Sequence, residues 1–527
     1  MADVMHWARW GNPTHMTNIP ASAWQLIELA FGETRETPAV DKSTLAVPPI
    51  SLTDAAMVSL RQIVGSDNVT TDNDSRISHT RGKSTTDLIK IRTGDLTDAP
   101  DAVVRPRDTD DVAAILAVCA EHTIAVVPYG GGTSVVGGLA AQSDGYTGVV
   151  ALDLTHLNTF AVDHESRLAT LGAGLLAPQA EKLLNEHGYT LGHFPQSFEY
   201  ASIGGFAATR SSGQASSGYG RFDSMVKALT VVTPMGVLRL DAAPASAAGP
   251  DLRQLILGSE GAFGIITDVT IAVRPQPAQR IYETWRFATF ADGTRAMRKL
   301  TQDGLNPTVF RLSDEAETAI NLAKPGSIGA DNPGGCLMVA GYEGTPERVS
   351  RLHDDVTAAL EESGGTSLGA EDGEHWAKGR YDGPYLRDAL LDHGILTETL
   401  ETATFWSRLH TTYVAVKEAI EAALAPYGNA VIVMCHISHV YESGASLYFT
   451  VVTKQHEDGI EQWSAAKKAA SDAMIATGAT ITHHHAIGRD HKPWFAQEIG
   501  DIGVSVLRAV KQRIDPTGIL NPGVLIP

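Results

Sequence analysis

Along the first hundred positions, apolar residues recur at helical spacing only in two short stretches, 22–31 and 52–63. That spacing predicts two helices in an otherwise irregular helical region. Further along, the pattern tightens. "PDAVVRPRDTDDVAAILAVCAEHTIAVVPYGGGTS" predicts a β-branched strand at 102–105 and an amphipathic helix at 109–121. A second strand at 124–127 then runs into a glycine-rich loop. "GVVALDLT" and "LATLGAG" read as strands, and 177–187 as a helix. "ALTVVTPMGVLRL" and "GIITDVTIAVRP" are rich in β-formers and flank an Ala/Gly/Pro loop at 241–250.

From 276 to about 475, strands such as "ASLYFTVV" mix with helices predicted at 346–363 and 406–424. Residues 460–477 read as a helix, and the chain closes with a helix at 496–512 and the turn "DPTGILNPG". Strands are numerous but do not alternate regularly with helices. The pattern is therefore α+β rather than a doubly wound βαβ array.

Length and composition narrow the function. At 527 residues, the chain has room for roughly three to four domains. A hydrophobic fraction of 43% and a charged fraction of 19% are those of a soluble globular protein. The net charge of −20 argues against nucleic acid and anionic membrane as main partners, since both need basic patches. Cys119, Cys336 and Cys435 are widely separated in apolar surroundings, with neither a disulfide framework nor a CxxC pair. The N-terminus lacks an apolar signal core, so a cytoplasmic location is expected, with contact at a membrane surface left open.

Three stretches invite chemistry. "ITHHHAIGRD" carries three consecutive histidines, yet adjacent side chains diverge on helix or strand, so the three cannot easily converge on one metal ion. "LGAGLLA" (171–177) nearly matches a dinucleotide fingerprint. It leads into a Ser/Gly-rich loop instead of a second strand ending in an acid, and a tight strand-to-helix turn is the simpler reading. "PYGGGTSVVGG" makes a better phosphate cradle, because successive glycines let several N–H groups face one anion. No lysine follows as in a P-loop.

Together with "QSFEYASIGG" and "LGSEGAFGIITDVTIAVRP", that loop resembles the FAD-binding domain of vanillyl-alcohol-oxidase-type (PCMH-type) flavoproteins. From "WARWGNP" through "SHTRGKSTTDLIKIRTG" to "DIGVSVLRAVKQRIDPTGIL", the chain resembles the alkyldihydroxyacetonephosphate synthase family. The resemblance implies a two-subdomain FAD-binding PCMH-type fold with an α+β substrate (cap) domain and helical terminal segments. The corresponding division is an N-terminal helical region (1–97), the FAD-binding domain (98–276), the cap (277–475) and a C-terminal segment with the histidine loop (476–527).

The resemblance also implies the FAD contacts. They fall on Pro128, Tyr129, Gly130, Gly131, Gly132, Thr133 and Ser134, then on Gln196, Ser197, Phe198, Glu199, Tyr200, Ala201 and Ser202. Gly205, Thr209, Arg210, Ser211 and Ser212 follow, with Glu260, Gly261, Ala262, Phe263, Gly264, Ile265 and Ile266 last. Thr133 stands where some relatives attach FAD through a histidine, so non-covalent FAD is expected. Arg311 and Arg387 match family arginines, and Arg387 matches the substrate-binding one. Tyr441 matches the family's catalytic tyrosine, and a phenol can act as general acid or base if neighbouring cations lower its pKa. His483, His484 and His485 coincide with the family's active-site histidines, while His436 and His439 are supporting at most.

The implied reaction replaces the acyl group of acyl-dihydroxyacetone phosphate with a fatty alcohol, through a flavin N5 adduct and without net redox, as in ether-lipid synthesis. It needs a hydrophobic tunnel that the sequence does not locate. The expected partners are these small lipid substrates; a homodimer stays open. The alternative is an FAD-dependent 2-hydroxyacid dehydrogenase of the D-lactate type. Its metal pattern is incomplete here: "HVYESGASLYF" lacks a second histidine, and His484 stands in place of a glutamate. No metal is expected.

Overall fold

The computed structural model describes residues 5–12, 14, 19, 21–241, 243–320 and 334–527; Pro13 of the "WARWGNP" stretch lies outside them. Three sheets organise the chain. In the first, strands Ala102–Val104, Gly148–Asp153 and Ile124–Tyr129 lie parallel, in that order across the sheet. All of Gly148–Asp153 is buried, which is why it reads as a continuous apolar run and not as an alternation. Helix Thr109–Glu121 starts at an Asp108 cap that accepts the Asp111 N–H. It buries Val112, Ile115, Leu116 and Cys119 at helical spacing. Strand Val69–Thr70 adds antiparallel to Ala102–Val104, so the first hundred residues are not purely helical.

The second sheet has five antiparallel strands in the order Phe160–Asp163, Leu168–Gly172, Ile265–Ala272, Val226–Thr233 and Gly236–Leu240. The stretch "ALTVVTPMGVLRL" is thus a hairpin and not one strand. Pro234 has no N–H to give to a ladder, and Gly236 turns the chain at φ 127°. The near-fingerprint glycines also lie here, on a strand paired antiparallel on both sides. A Cβ on Gly174 would stand 1.8 Å from the Leu154 carbonyl oxygen, and one on Gly172 would stand 2.3 Å from that of Leu157. Backbone pressed against backbone explains these glycines.

The third and largest sheet is antiparallel throughout. Its order is Thr366–Gly369, Gln279–Phe287, Cys336–Gly344, Val309–Ser313, Val431–Ile437, Gly444–Lys454, Ile395–Phe405, with the short Val440–Tyr441 paired to Gly444–Lys454. Helices Phe290–Gln302, Pro346–Glu362 and Trp406–Leu424 pack on it. This is the mixed helix-and-sheet, PCMH-type fold that the sequence resemblance implied.

Both ends of the chain are tied inward. Thr85 at the start of helix Thr85–Arg92 donates its N–H to Glu398 at 2.5 Å and its hydroxyl to the Thr397 carbonyl at 2.8 Å. Helix Lys492–Ile514 bends at Gly500 (φ 69°). After it, Val126 and residues 519–521 exchange backbone bonds of 2.8 Å, so the closing turn lies along the first sheet. Among the described residues, no helix is long and apolar enough to cross a membrane.

Gly174→Ala is expected to cost about 2–3 kcal/mol through forced backbone displacement, read as a lower thermal midpoint of the purified protein. An unchanged midpoint would show that the Leu154 segment yields freely.

Candidate active site

A cavity of roughly 490 Å³ opens between the sheets, and its wall draws on every part of the chain. The glycine loop forms one side through Pro128, Gly130, Gly131, Gly132, Thr133 and Ser134. It lies flush on the next expected segment: a Cβ on Gly131 would sit 1.7 Å from the Tyr200 carbonyl oxygen. Gln196, Ser197, Ala201, Ser202, Gly205, Thr209, Ser211 and Ser212 continue the wall, as do Glu260, Gly261, Gly264, Ile265 and Ile266.

The remaining expected FAD residues stand behind it. The Tyr129 hydroxyl donates to the Ser78 carbonyl, and Glu199 accepts from the Tyr385 hydroxyl at 3.1 Å. Tyr200 meets the edge of Trp10, and Phe198 packs on Phe194. The Arg210 guanidinium donates to the carbonyls of Leu257 and Gln254. Ala262 and Phe263 are core residues.

Glu260 holds two loops together. Its residue is in the left-handed region (φ 51°), and its buried carboxyl accepts the N–H groups of Ile487 and Gly488 at 3.1 and 2.9 Å. Burial pushes this carboxyl up to about 7. The cofactor loop and the loop after the histidines are therefore positioned as a unit.

The chemistry sits on one row of the large sheet. Ser313, His436, Tyr448 and Glu401 are direct cross-strand partners on four adjacent strands, so their side chains share a face. Glu401 is fully buried and shapes the histidine loop. It accepts the backbone N–H of His483, His484 and His485 at 2.7, 3.1 and 2.9 Å, and the Thr482 hydroxyl at 2.5 Å. Burial alone would raise its pKa. Neighbouring His484, His485 and His483 with Thr482 outweigh that and hold it well below the usual carboxylate range.

With its backbone wrapped on Glu401, the triplet points three ways. His483 turns from the cavity, its Nε2 2.5 Å from the Tyr441 hydroxyl. His484 and His485 line the cavity. Nδ1 of His484 lies 3.0 Å from Nδ1 of His483 and 3.4 Å from the Glu401 carboxylate. A carboxylate only accepts, so a proton on this Nδ1 would face Glu401 favourably and would leave Nε2 of His484 as the lone-pair nitrogen. Burial lowers the pKa of all three imidazoles, that of His485 to about 4, so they are neutral at pH 7.

Tyr441 does not line the cavity, and burial raises its pKa despite the opposing Arg221 guanidinium. The tyrosine in the cavity wall is Tyr448, stacked between His436 and His484 with ring centres 4.8 and 6.0 Å away. Burial pushes its phenol up to about 12. The sequence reading also missed that His439 joins His483 and His484, with ligand nitrogens all within 4.8 Å of one another. His439 Nδ1 is bonded to Ser216 at 2.7 Å, and Arg221 donates to the His483 carbonyl at 2.8 Å. Burial, then the neighbouring imidazoles and the Arg221 guanidinium, lower the proton affinity of His439 and His483.

Both expected arginines line the cavity but are already matched by acids. Arg311 pairs with buried Glu317, which His436 also contacts at 2.9 Å; Arg387 pairs with Asp388 at 2.8 Å and donates to the Lys83 carbonyl at 2.6 Å. Lys83, fully buried in the same wall, was not anticipated, and burial pushes its pKa down to about 8. Nor was a place in the wall for the helix Ala21–Phe31, which the sequence predicts at 22–31. Its Ala23, Leu26, Ile27 and Phe31 meet Leu390 and Val452 to form an apolar arm of the cavity.

The family described as "FAD binding domain" matches residues 100–241, and "FAD linked oxidases, C-terminal domain" matches 276–525. The alkyldihydroxyacetonephosphate synthase of Dictyostelium discoideum is 33% identical over 93% of this chain and 84% of its own length. A solved alkyldihydroxyacetonephosphate synthase structure superposes with a TM-score of 0.84 at 29% identity, covering 98% of both chains. The mitochondrial D-lactate dehydrogenase [cytochrome] of Arabidopsis thaliana is 27% identical over 96% of this chain and 85% of its own length.

His485 titrates near 4 when folded against an ordinary value of 6.5. The unfolded chain binds more protons between those values, so stability falls as pH drops from 6.5 towards 4, by roughly 3 kcal/mol for this group alone. Glu260 acts in the opposite direction between its ordinary 4.5 and about 7. Thermal midpoints at pH 6.5 and 4.5 should therefore differ less in His485→Gln than in the wild type; equal differences would contradict a buried neutral His485. Glu401→Ala leaves three N–H groups of the loop without their acceptor and is expected to cost about 3–5 kcal/mol, with protease cleavage near residue 484 as the local readout.

Proposed function

The chain belongs to the alkyldihydroxyacetonephosphate synthase family and is an FAD-dependent enzyme, and from that premise we propose that it exchanges the acyl group of an acyl-dihydroxyacetone phosphate for a fatty alcohol. The bond from C1 to the acyl carboxylate breaks, a bond from C1 to the alcohol oxygen forms, and the alcohol's proton is given up. Nothing is oxidised overall. The observation that carries this reading is the apolar arm of Leu26, Ile27 and Phe31 opening on the same cavity as the glycine loops and the histidines. A long alkyl chain needs such a wall, whereas a small hydroxyacid does not.

The glycine loop and the facing Ser202 fit FAD as close-approach backbone and hydroxyl groups around a pyrophosphate. When bound, FAD supplies the reactive N5 position. Everything else falls to the side chains. Arg387 and Lys83 give one end of the cavity the positive charge a phosphate needs. Neutral His484, its Nδ1–H turned to His483 and Glu401, has a lone-pair nitrogen to accept the alcohol's proton. Tyr448, protonated at neutral pH, donates a hydrogen bond to the departing carboxylate. Tyr441 acts behind the wall, orienting His483. Non-covalent FAD remains part of the proposal, since Thr133 offers no nucleophilic imidazole.

The chain is also expected in the cytoplasm, meeting its lipid substrates at a membrane surface. Leu29, 84% exposed on the helix whose other face lines the apolar arm, supports that contact.

The test is an exchange assay with labelled fatty alcohol and acyl-dihydroxyacetone phosphate. Tyr448→Phe and His484→Ala should each lose about 10²–10⁴-fold in rate with FAD retained, while Tyr441→Phe loses about tenfold or less. Near-normal exchange in Tyr448→Phe would reject its role. Anaerobic bleaching of the flavin by D-lactate would reject the exchange reaction itself.

A further inference from the structure

On one stretch of the cavity wall, four buried polar atoms have no hydrogen-bond partner: Nε and Nη1 of Arg380, Nε2 of Gln196 and Oε1 of Gln214. Gln214 stands between the other two. Its Nε2 donates to the Arg380 carbonyl oxygen at 3.2 Å and lies 3.5 Å from Gln196 Oε1. The first contact fixes the amide, because a flipped Gln214 would set oxygen against oxygen. Arg380 is held by stacking: its Cζ lies 5.0 Å from the ring centres of both Phe194 and Tyr381. Unlike Arg311 and Arg387, it forms no ion pair with a carboxylate among the described residues. Buried polar atoms left unsatisfied each cost about 1–3 kcal/mol. Four together, on three side chains facing one cavity, mark a receptor for a ligand that returns the bonds.

The three side chains offer a donor, an acceptor and a donor, with the Gln214 amide touching the Arg380 main chain on one side and Gln196 on the other. The pyrimidine edge of an isoalloxazine is the complement, with O2 accepting, N3–H donating and O4 accepting. We propose that Arg380, Gln214 and Gln196 hold the pyrimidine edge of the flavin, with the guanidinium at C2=O2, Gln214 at N3–H and Gln196 at O4. A phosphate suits the wall less well, because it offers only acceptors and would place an anion against Gln214 Oε1. The placement has a consequence for reactivity. A nucleophile bonding to flavin N5 pushes negative charge onto N1–C2=O2, where a fixed guanidinium stabilises it. Arg380 is then a residue that makes N5 electrophilic, provided by the cap and not by the cofactor loops.

Sulfite tests this on the FAD-loaded enzyme without turnover. Its sulfur lone pair forms a bond to N5, the displaced electron pair settles on N1–C2=O2, and the flavin absorbance bleaches. Arg380→Met, which keeps the stacking stem, should weaken sulfite binding roughly tenfold or more, equivalent to about 1.4 kcal/mol. Arg380→Lys should fall between. Gln214→Met, which leaves the charge in place, should weaken it about threefold. If Arg380→Met releases FAD while its apoprotein melts as the wild-type apoprotein does, the cofactor assignment also holds. Unchanged sulfite affinity in both Arg380→Met and Gln214→Met overturns the proposal. A raised KM or weaker inhibition by inorganic phosphate in those variants would then transfer the wall to the substrate's phosphate.

Discussion

Glu401 is the constraint on which the site depends. A carboxylate buried to this extent is tolerated only when its lone pairs are filled. Four donors fill them, and three are consecutive backbone N–H groups. Three neighbouring N–H groups can face one anion only when the backbone curls into a nest. That curl makes His483, His484 and His485 radiate instead of alternating. Because Glu401 is also paired across the sheet with Tyr448, the loop inherits its position from the largest sheet. A loop outside any helix or strand thus acquires the precision of a strand.

The same device recurs on the cofactor side. Glu260 takes two N–H groups of the segment just beyond the histidines, and its own carbonyl accepts from Asn521 at 2.6 Å. The histidine segment is therefore pinned at one end by the cap and at the other by the FAD-binding half. Displacement of either half moves the imidazoles relative to the glycine loops, so the alignment of the cavity and the assembly of the two halves are a single structural condition.

Much of this was legible in the sequence, but unevenly. Helix 109–121 and the glycine loop were readable because local rules decide them: a cap, a stripe at helical spacing, three glycines after a buried strand. The family resemblance brought the histidine triplet and the glycine loops to one site. It did not separate Tyr441 from Tyr448. Seven residues apart across a tight turn, the two differ only in which strand register carries them, and register is set by non-local pairing with Ile395–Phe405. That Lys83, Arg380 and the helix Ala21–Phe31 line the cavity was missed for a related reason. Each reaches the cavity through contacts with residues far along the chain, and nothing in "RGKST" or "KGRYD" marks a charge that folding will bury. Glu401 itself sits in "TETLETATF", where it reads as an ordinary polar position on a strand.

Burial explains how such a wall handles protons near neutrality. It moves the phenol and the imidazoles in opposite directions, because one is charged when deprotonated and the others when protonated. Tyr448 is pushed up to about 12 while His485 falls to about 4, and His484 is lowered too. Over the intervening range the phenol keeps its proton and the imidazoles keep their lone pairs. Acid and base are thus poised side by side without either being charged. A charged pair would have needed counter-ions in a cavity whose other arm is apolar. Neutral partners avoid that conflict, which is why His484, His485 and Tyr448 can share a wall with the space for an alkyl chain.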